Sequence, residues 1–347
     1  MSNLIIPKNY SSPLDYMESQ RAIKKIKDFF QAELAYGLSL RRVSSPRFVS
    51  PESGLNDDLS GVERKVEFTS KDMNERPIEV VQSLAKWKRM ALGKYGVKAG
   101  QGIYADMDAI RRDEELDNLH SMYVDQWDWE KVITKDQRTE EYLEDVVNRI
   151  YMALKNLGDF VNRHYPEIKT ELPNEITFIT SQELEDLYPD KTPKEREDLI
   201  TEKYRAVFIK KIGGKLNSGI PHDGRAPDYD DWELNGDILL WCDILDRSFE
   251  ISSMGIRVDE DTMLRQLKLA NEEIRLNLDF HKKILNRELP YTIFSQSPKA
   301  QYISHKHVSN LPLCIGTKPD QASLLNTDYI LKHTSLQLLE ALYVPLY

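Results

Sequence analysis

From about Ser12 to Leu38, apolar residues return at every third or fourth position, as Ile23, Ile26, Phe30 and Leu34, with Lys and Asp between them. That period marks a helix with one buried face. The same pattern runs from about Thr139 to Arg163, where Leu143, Val147, Ile150, Leu154 and Leu157 share a face. A third helix is predicted from about Asp259 to Asn286, with Leu264, Leu267, Ile274, Leu278 and Leu285 as its stripe. Asp259–Asp261 place negative charge at the positive end of its dipole. Short extended segments lie between: Lys65–Thr69, Ile78–Val81, Gly102–Tyr104, Ser121–Trp129, Ile176–Thr180, Val207–Ile212, Ile238–Trp241 and Phe249–Ser252. Many alternate rather than run continuously apolar. This favours a mainly antiparallel sheet flanked by helices, an α+β fold. No linker-like break divides the first 290 residues, so one domain is expected there. Asp190–Glu197 and Asn217–Asp223 read as solvated loops.

Composition narrows the class. The chain has 347 residues, with 47 Lys and Arg against 57 Asp and Glu, a net charge of −10 and a pI near 5.4. A phosphate surface would repel it on average, which argues against nucleic-acid or anionic-membrane binding. No apolar run approaches the roughly 18 residues of a membrane-spanning helix. The start, MSNLIIPKNYSSP, lacks the basic and apolar regions of a signal peptide. Two cysteines, Cys242 and Cys314, make neither a disulfide framework nor a four-ligand zinc site. A cytoplasmic location is expected. Beyond Arg287 the character changes: residues 288–347 contain no arginine but hold His305, His307 and His333.

Familiar site motifs are absent: there is no GxxxxGK[ST], GxGxxG, HExxH or GxSxG. Gly213-Gly214-Lys215 is too short for a phosphate loop, and His120 and His222 read as hydrogen-bonded structural residues. Four polar clusters remain. GLNDDLSG (Gly54–Gly61) is a turn or an anionic pocket wall for an ammonium group. SLAKWKR (Ser83–Arg89) is a solvated helix end or a clamp of Lys86, Lys88 and Arg89 on carboxylate or phosphate. In HSMYVDQWDWE (His120–Glu130), strand alternation puts Tyr123, Asp125, Trp127 and Trp129 on one side and Gln126 and Asp128 on the other. RAPDYDDWELNGD (Arg225–Asp237) with FEISSMGIR (Phe249–Arg257) is a network of ion pairs, or a carboxylate site for magnesium beside a nucleotide.

In this order and spacing the clusters closely resemble ammonia-dependent asparagine synthetase, aspartate–ammonia ligase. The matching pieces are LNDDLSG, VVQSLAKWKR, LHSMYVDQWDWE, GGKL at Gly213–Leu216, RAPDYDDW, LNGDIL and EISSMGIRVD, spanning roughly residues 15 to 293. The resemblance implies the catalytic fold of class II aminoacyl-tRNA synthetases, a homodimer, and aspartate, ammonia and Mg2+-ATP as reactants. It also implies two steps: aspartate attacks the α-phosphorus of ATP to give β-aspartyl-AMP and pyrophosphate, then ammonia releases asparagine and AMP. No enzyme nucleophile is needed, in keeping with the missing Ser, Cys and His constellations. A glutaminase of the N-terminal-nucleophile kind needs a cysteine after Met1, and Ser2 stands there.

Residue by residue, Asp57 resembles the carboxylate receiving the substrate ammonium, and Ser83 and Lys88 the contacts to its carboxylate end. Gln126 and Asp128 are similar to the strand residues lining the amino-acid pocket. Arg111 matches the arginine at the α-phosphate, with Arg112 the alternative if the register slips by one. Asp230 lies in the matching position beside the reacting group. Asp237 and Glu250 resemble the acids near ATP and magnesium, and Ser252, Ser253 and Arg257 the last contacts to substrate and nucleotide.

The family's segment after "LP-TI" reads GGGIGQSR and leads into a hydrophobic helix, whereas this chain reads LPYTIFSQSPKAQYISHKHVSN. The resemblance therefore implies a catalytic domain over 1–293 and a divergent tail over 294–347 that lacks the glycines and the arginine facing ATP. A shifted reading frame, an alternative exon or an error in the gene model would produce such a tail. Two other readings follow: an impaired paralogue that binds aspartate or asparagine without adenylating it, and a tRNA-charging enzyme. The net charge and the lack of an appended anticodon-binding domain weigh against the last.

Overall fold

A computed structural model describes residues 13–56, 63–114, 122–168, 170–243 and 245–301, apart from the side chains of Tyr16 and of 296–301. Its elements in chain order are α1 (Tyr16–Leu38), β1 (Leu40–Arg42), β2 (Phe48–Val49), β3 (Glu67–Thr69), β4 (Pro77–Val80), α2 (Ala85–Lys94), β5 (Gly102–Ile110), β6 (Tyr123–Val132), α3 (Glu140–His164), β7 (Thr177–Thr180), α4 (Ser181–Leu187), α5 (Pro193–Tyr204), β8 (Ala206–Lys210), β9 (Asp230–Cys242), β10 (Arg247–Arg257), α6 (Glu260–Ala270), α7 (Asp279–Leu285) and β11 (Thr292–Gln301).

Eight strands form one sheet in the order β1-β5-β6-β11-β10-β9-β8-β7, and β2-β4-β3 form a small second one. In the large sheet only the β1–β5 and β7–β8 pairs are parallel. The expected α+β architecture is present. Helices α1 and α3 cover one face, where Ile26, Phe30, Leu143, Ile150, Leu154 and Leu157 pack on Trp127, Trp129, Phe208, Ile238 and Met254. On the other face α2 lies against β5 and β6, and α5 against β8, β9 and β10. The strip between those two helices, on β6, β11, β10 and β9, is where polar side chains gather.

The helix expected over Asp259–Asn286 is broken. Asn271 takes a left-handed conformation (φ 58°), a 3-10 turn follows at Glu273–Asn277, and α7 restarts at Asp279. The apolar spacing misleads because Leu264, Ile274 and Leu278 are exposed; the buried positions are Met263, Leu267, Phe280 and Ile284. The loop expected at Asp190–Glu197 ends early. Thr192 and Glu195 form a capping box with Pro193 at the first helical position, and this starts α5. Strands β9 and β10 outrun the expected segments: β9 starts at Asp230, ahead of its apolar centre, and β10 runs on to Arg257, with Met254 and Ile256 in the core and Ser253 and Arg257 on the polar side.

Candidate active site

The alternation expected along β6 is present. Trp127 and Trp129 enter the core with α1 and α3, and Asp125 pairs with Lys27 of α1 at 2.8 Å. Gln126, Asp128 and Glu130 point the other way and are buried, so each needs a partner. Asp128 accepts from Lys88, whose Nζ also donates to the Trp129 carbonyl at 3.1 Å. Glu130 accepts from Arg257 Nη2 at 3.0 Å and from Thr292 Oγ1 at 2.6 Å. Gln126 is different: neither its amide nitrogen nor its oxygen has a hydrogen-bond partner among the described residues.

Helix α2 supplies the cations. Lys86, Lys88 and Arg89 are all buried, which removes the solvated-helix-end reading of this stretch. Ser83, just before the helix, is buried and accepts from the Ala85 N–H at 3.2 Å. Desolvation lowers the Lys88 ammonium and raises the Asp128 carboxyl, against their mutual attraction. The same burial brings Arg89 down to about 10. Arg257 carries more than its ion pair. Its guanidinium carbon is 3.6 Å from the Phe294 ring centroid and 5.2 Å from that of Tyr229, and its peptide oxygen accepts from Arg138.

Along β10 a bulge between Glu250 and Ser252 resets the alternation. Glu250 lies opposite Leu239, on the polar side of the sheet, and Ser253 lies opposite Asp237. Ser252 does not join them: it pairs with Ile238 in register and hydrogen-bonds Ser295 within the core face. The substrate contact expected of Ser252 is therefore corrected to a packing role, since a strand side chain cannot reach the opposite face. Arg225, given no individual role by the sequence but part of the stretch read as a network of ion pairs, ion-pairs with Asp237 and donates to Ser253. Asp230 sits opposite Arg257 in register, and burial raises its carboxyl despite the nearby Arg225. Two glycines make the close packing possible. A Cβ on Gly255 would stand 2.9 Å from Asp230 Oδ2, and one on Gly213 (φ +114°) 2.6 Å from the Trp232 ring.

Of the two candidate arginines, Arg111 is buried at the end of β5, with Nη1 3.9 Å from Glu114, while Arg112 is exposed. Asp57 and His120 lie outside the described residues, as do Cys314 and the three late histidines. Asn56, immediately before Asp57, is described and was missed by the sequence reading. Its amide donates to Glu79 and to the Val80 carbonyl at 3.0 Å each and accepts from the Gln82 N–H at 2.9 Å, tying that turn to β4. Glu130, read from the sequence as one of the polar groups of this strand but given no role, proves to be the partner of Arg257 and Thr292.

Asp237 and Glu250 occupy neighbouring strands on one face, and among the described residues no group of three or more His, Cys, Asp or Glu is set to hold a metal ion. Two carboxylates suit magnesium, which keeps waters and takes its other ligands from phosphate.

The profile of the family described as "Aspartate-ammonia ligase" matches residues 17–311. The chain is 60% identical over 290 residues to the aspartate–ammonia ligase of Clostridium tetani, covering 84% of this chain and 85% of that one. It is 51% identical over 321 residues to that of Lactiplantibacillus plantarum, covering 91% and 100%. Among solved structures it resembles the Pyrococcus horikoshii asparaginyl-tRNA synthetase complexed with asparaginyl-adenylate, with a TM-score of 0.56 at 13% identity, over 91% of this chain and 69% of that one. That likeness establishes the class II aminoacyl-tRNA synthetase fold.

Proposed function

The chain belongs to the aspartate–ammonia ligase family, and from that premise we propose that it makes asparagine from aspartate, ammonia and ATP through β-aspartyl-AMP. The observation that carries this reading is the buried polar strip. It offers a cation over each of two carboxylates, Lys88–Asp128 and Arg257–Glu130, and the unpartnered amide of Gln126 beside them. A buried amide without partners costs about 1–3 kcal/mol, which a bound polar ligand would repay.

In the first step a side-chain oxygen of aspartate forms a bond to the α-phosphorus, and the bond to the bridging oxygen breaks, releasing pyrophosphate. Lys88 and Ser83 hold the substrate's α-carboxylate, and Gln126 and Asp128 orient its polar groups, with Asp57 at the ammonium. Arg111 and Arg257 offset the charge that gathers on the α-phosphate, and Ser253 meets the nucleotide. Asp237 and Glu250 would hold magnesium, which supplies charge neutralisation on the phosphates; Arg225 shares Asp237 with it. In the second step ammonia attacks the activated carbonyl carbon, and the bond to the AMP oxygen breaks. Asp230 takes up the proton that nitrogen sheds, a role that the raising of its carboxyl by burial supports. The protein's share is positioning and the exclusion of water from the anhydride.

A homodimer and a cytoplasmic location belong to the same reading. A second reading, a protein that binds aspartate or asparagine without adenylating it, is favoured by one contact: Phe294, at the head of the divergent segment, covers Arg257. Aspartate-dependent exchange of labelled pyrophosphate into ATP decides between them. Exchange well above an Arg257→Ala control supports the ligase. Aspartate binding by folded protein with no exchange overturns it in favour of the second.

A further inference from the structure

The break in the last helix has a local result. By turning α7 back toward β9, it brings His281 onto the turn that precedes that strand. His281 Nε2 lies 2.7 Å from Asp228 Oδ2, and Arg275 Nη1 lies 3.0 Å from Asp228 Oδ1. The His281 and Asp228 side chains are 0% and 1% exposed, so the pair is dry. With one carboxylate oxygen already on an arginine, Asp228 is the acceptor and the imidazole N–H donates.

What this contact holds is the turn Asp228–Tyr229–Asp230. The Tyr229 ring lies 5.2 Å from the Arg257 guanidinium, and Asp230 stands opposite Arg257 across the β9–β10 ladder. The turn's main chain is held separately, since Gln266 Nε2 donates to the carbonyls of Pro227 and Asp230 at 3.0 Å each. Its one buried side-chain anchor on α7 is His281. The other ring nitrogen of His281, Nδ1, has no hydrogen-bond partner among the described residues. A site needing only bulk would be better filled by an apolar side chain, because a half-satisfied buried imidazole carries a penalty.

We propose that His281 is a positioning residue for adenylation: through Asp228 it fixes the Asp228–Asp230 turn, and with it the Tyr229 ring and the Asp230 carboxylate beside Arg257. The proposal rests on the ligase reading. It predicts that loss of the imidazole donor misplaces reacting groups without emptying the aspartate pocket, and misplacement by about 1 Å is worth on the order of a hundredfold in rate.

The test compares the full chain carrying His281→Ala, His281→Gln or Asp228→Asn with the unaltered chain in two measurements. In pyrophosphate exchange, His281→Ala is expected to lower kcat about a hundredfold while the KM for aspartate stays within about threefold. His281→Gln, which keeps an amide donor near Nε2, is expected to recover most of that loss. In hydrogen exchange, the peptide spanning 225–231 is expected to open in His281→Ala and to close again in His281→Gln. Unchanged kcat in His281→Ala, a glutamine variant no better than alanine, or unchanged protection of 225–231 overturns the proposal. If the unaltered chain shows no pyrophosphate exchange, the ligase reading fails, and the hydrogen-exchange comparison still decides whether His281 holds the turn. Should His281→Ala not fold, His281→Asn carries the same comparison.

Discussion

Arg257 of β10 and Phe294 of β11 are stacked, with the guanidinium carbon 3.6 Å from the ring centroid, while the same guanidinium pairs with Glu130 of β6. Three neighbouring strands thus meet in one contact. Phe294, within the stretch that the family profile matches, is buried and opposite Glu130 and Gly255 in the ladders on either side.

Removing the ring separates its two effects. Phe294→Ala is expected to destabilise the fold by about 3–5 kcal/mol, as truncation of a buried phenylalanine does. It is also expected to tighten ATP binding, because the Arg257 face is uncovered. Thermal melting reads the first and calorimetric ATP titration the second. Weaker ATP binding in folded variant would mean that the ring supports the nucleotide site instead of covering it.

Gln126→Leu is expected to move stability and function in opposite directions. The unpartnered amide disappears, so melting should hold or improve by about 1 kcal/mol. Aspartate affinity should fall by at least about tenfold, one lost hydrogen-bonding group being worth that much. A marked loss of stability would show that the amide is satisfied within the protein, and the ligand reading of its position would fall.

Ser252 and Ser253 are adjacent in sequence and on opposite faces of the sheet. Ser253→Ala should raise the KM for ATP, since it alters the Arg225–Ser253–Asp237 group. Ser252→Ala should leave KM values for ATP and aspartate unchanged and lower stability by about 1 kcal/mol through the lost bond to Ser295. Steady-state kinetics of both variants, beside their melting curves, checks the assignment; a KM change in Ser252→Ala would reverse it.

Stability near pH 3 should depend on Asp228. Burial works to raise its carboxyl, but the His281 hydrogen bond and the charges of Arg275, His281 and Lys86 outweigh it and hold the group at about 2. With a folded value below the unfolded 3.8, ionised Asp228 stabilises the protein above about pH 4 and loses that contribution as pH falls through 2. The amount is about 2 kcal/mol. Chemical unfolding between pH 2 and 6 should therefore show a shallower slope for Asp228→Asn than for the unaltered chain; equal slopes would remove Asp228 as the cause.

Much of this was legible in the chain, for reasons that particular residues make plain. Helices α1 and α3 follow the expected bounds because their apolar residues meet one continuous core. The two faces of β6 follow from alternation alone, which correctly separated Trp127 and Trp129 from Gln126 and Asp128. Alternation fails at Ser252, where a bulge turns two successive residues inward and no residue type announces it. Periodicity likewise fails in the last helix, since Ile274 and Leu278 keep the spacing while facing solvent and Asn271 ends the helix by its left-handed backbone. The ion-pair reading of the Arg225–Asp237 stretch covered Arg225 without giving it a role, and His281 escaped notice because its partner stands 53 residues away, joined only by the tertiary fold.

The strand order has a consequence for how the molecule is made. Strand β11 is the last described element to be synthesised, yet it lies between β6 and β10, which do not pair with each other. Until it arrives, the chain holds two partial sheets with facing edges, and unpaired edges of that kind recruit other chains. Thr292 also reaches Glu130 across 162 residues, so a buried charge waits for the last described strand before this partner appears. A nascent chain halted before Tyr291 is thus an aggregation hazard first and an inactive enzyme second, and the burden of such a truncation would fall on chaperones more than on the supply of asparagine.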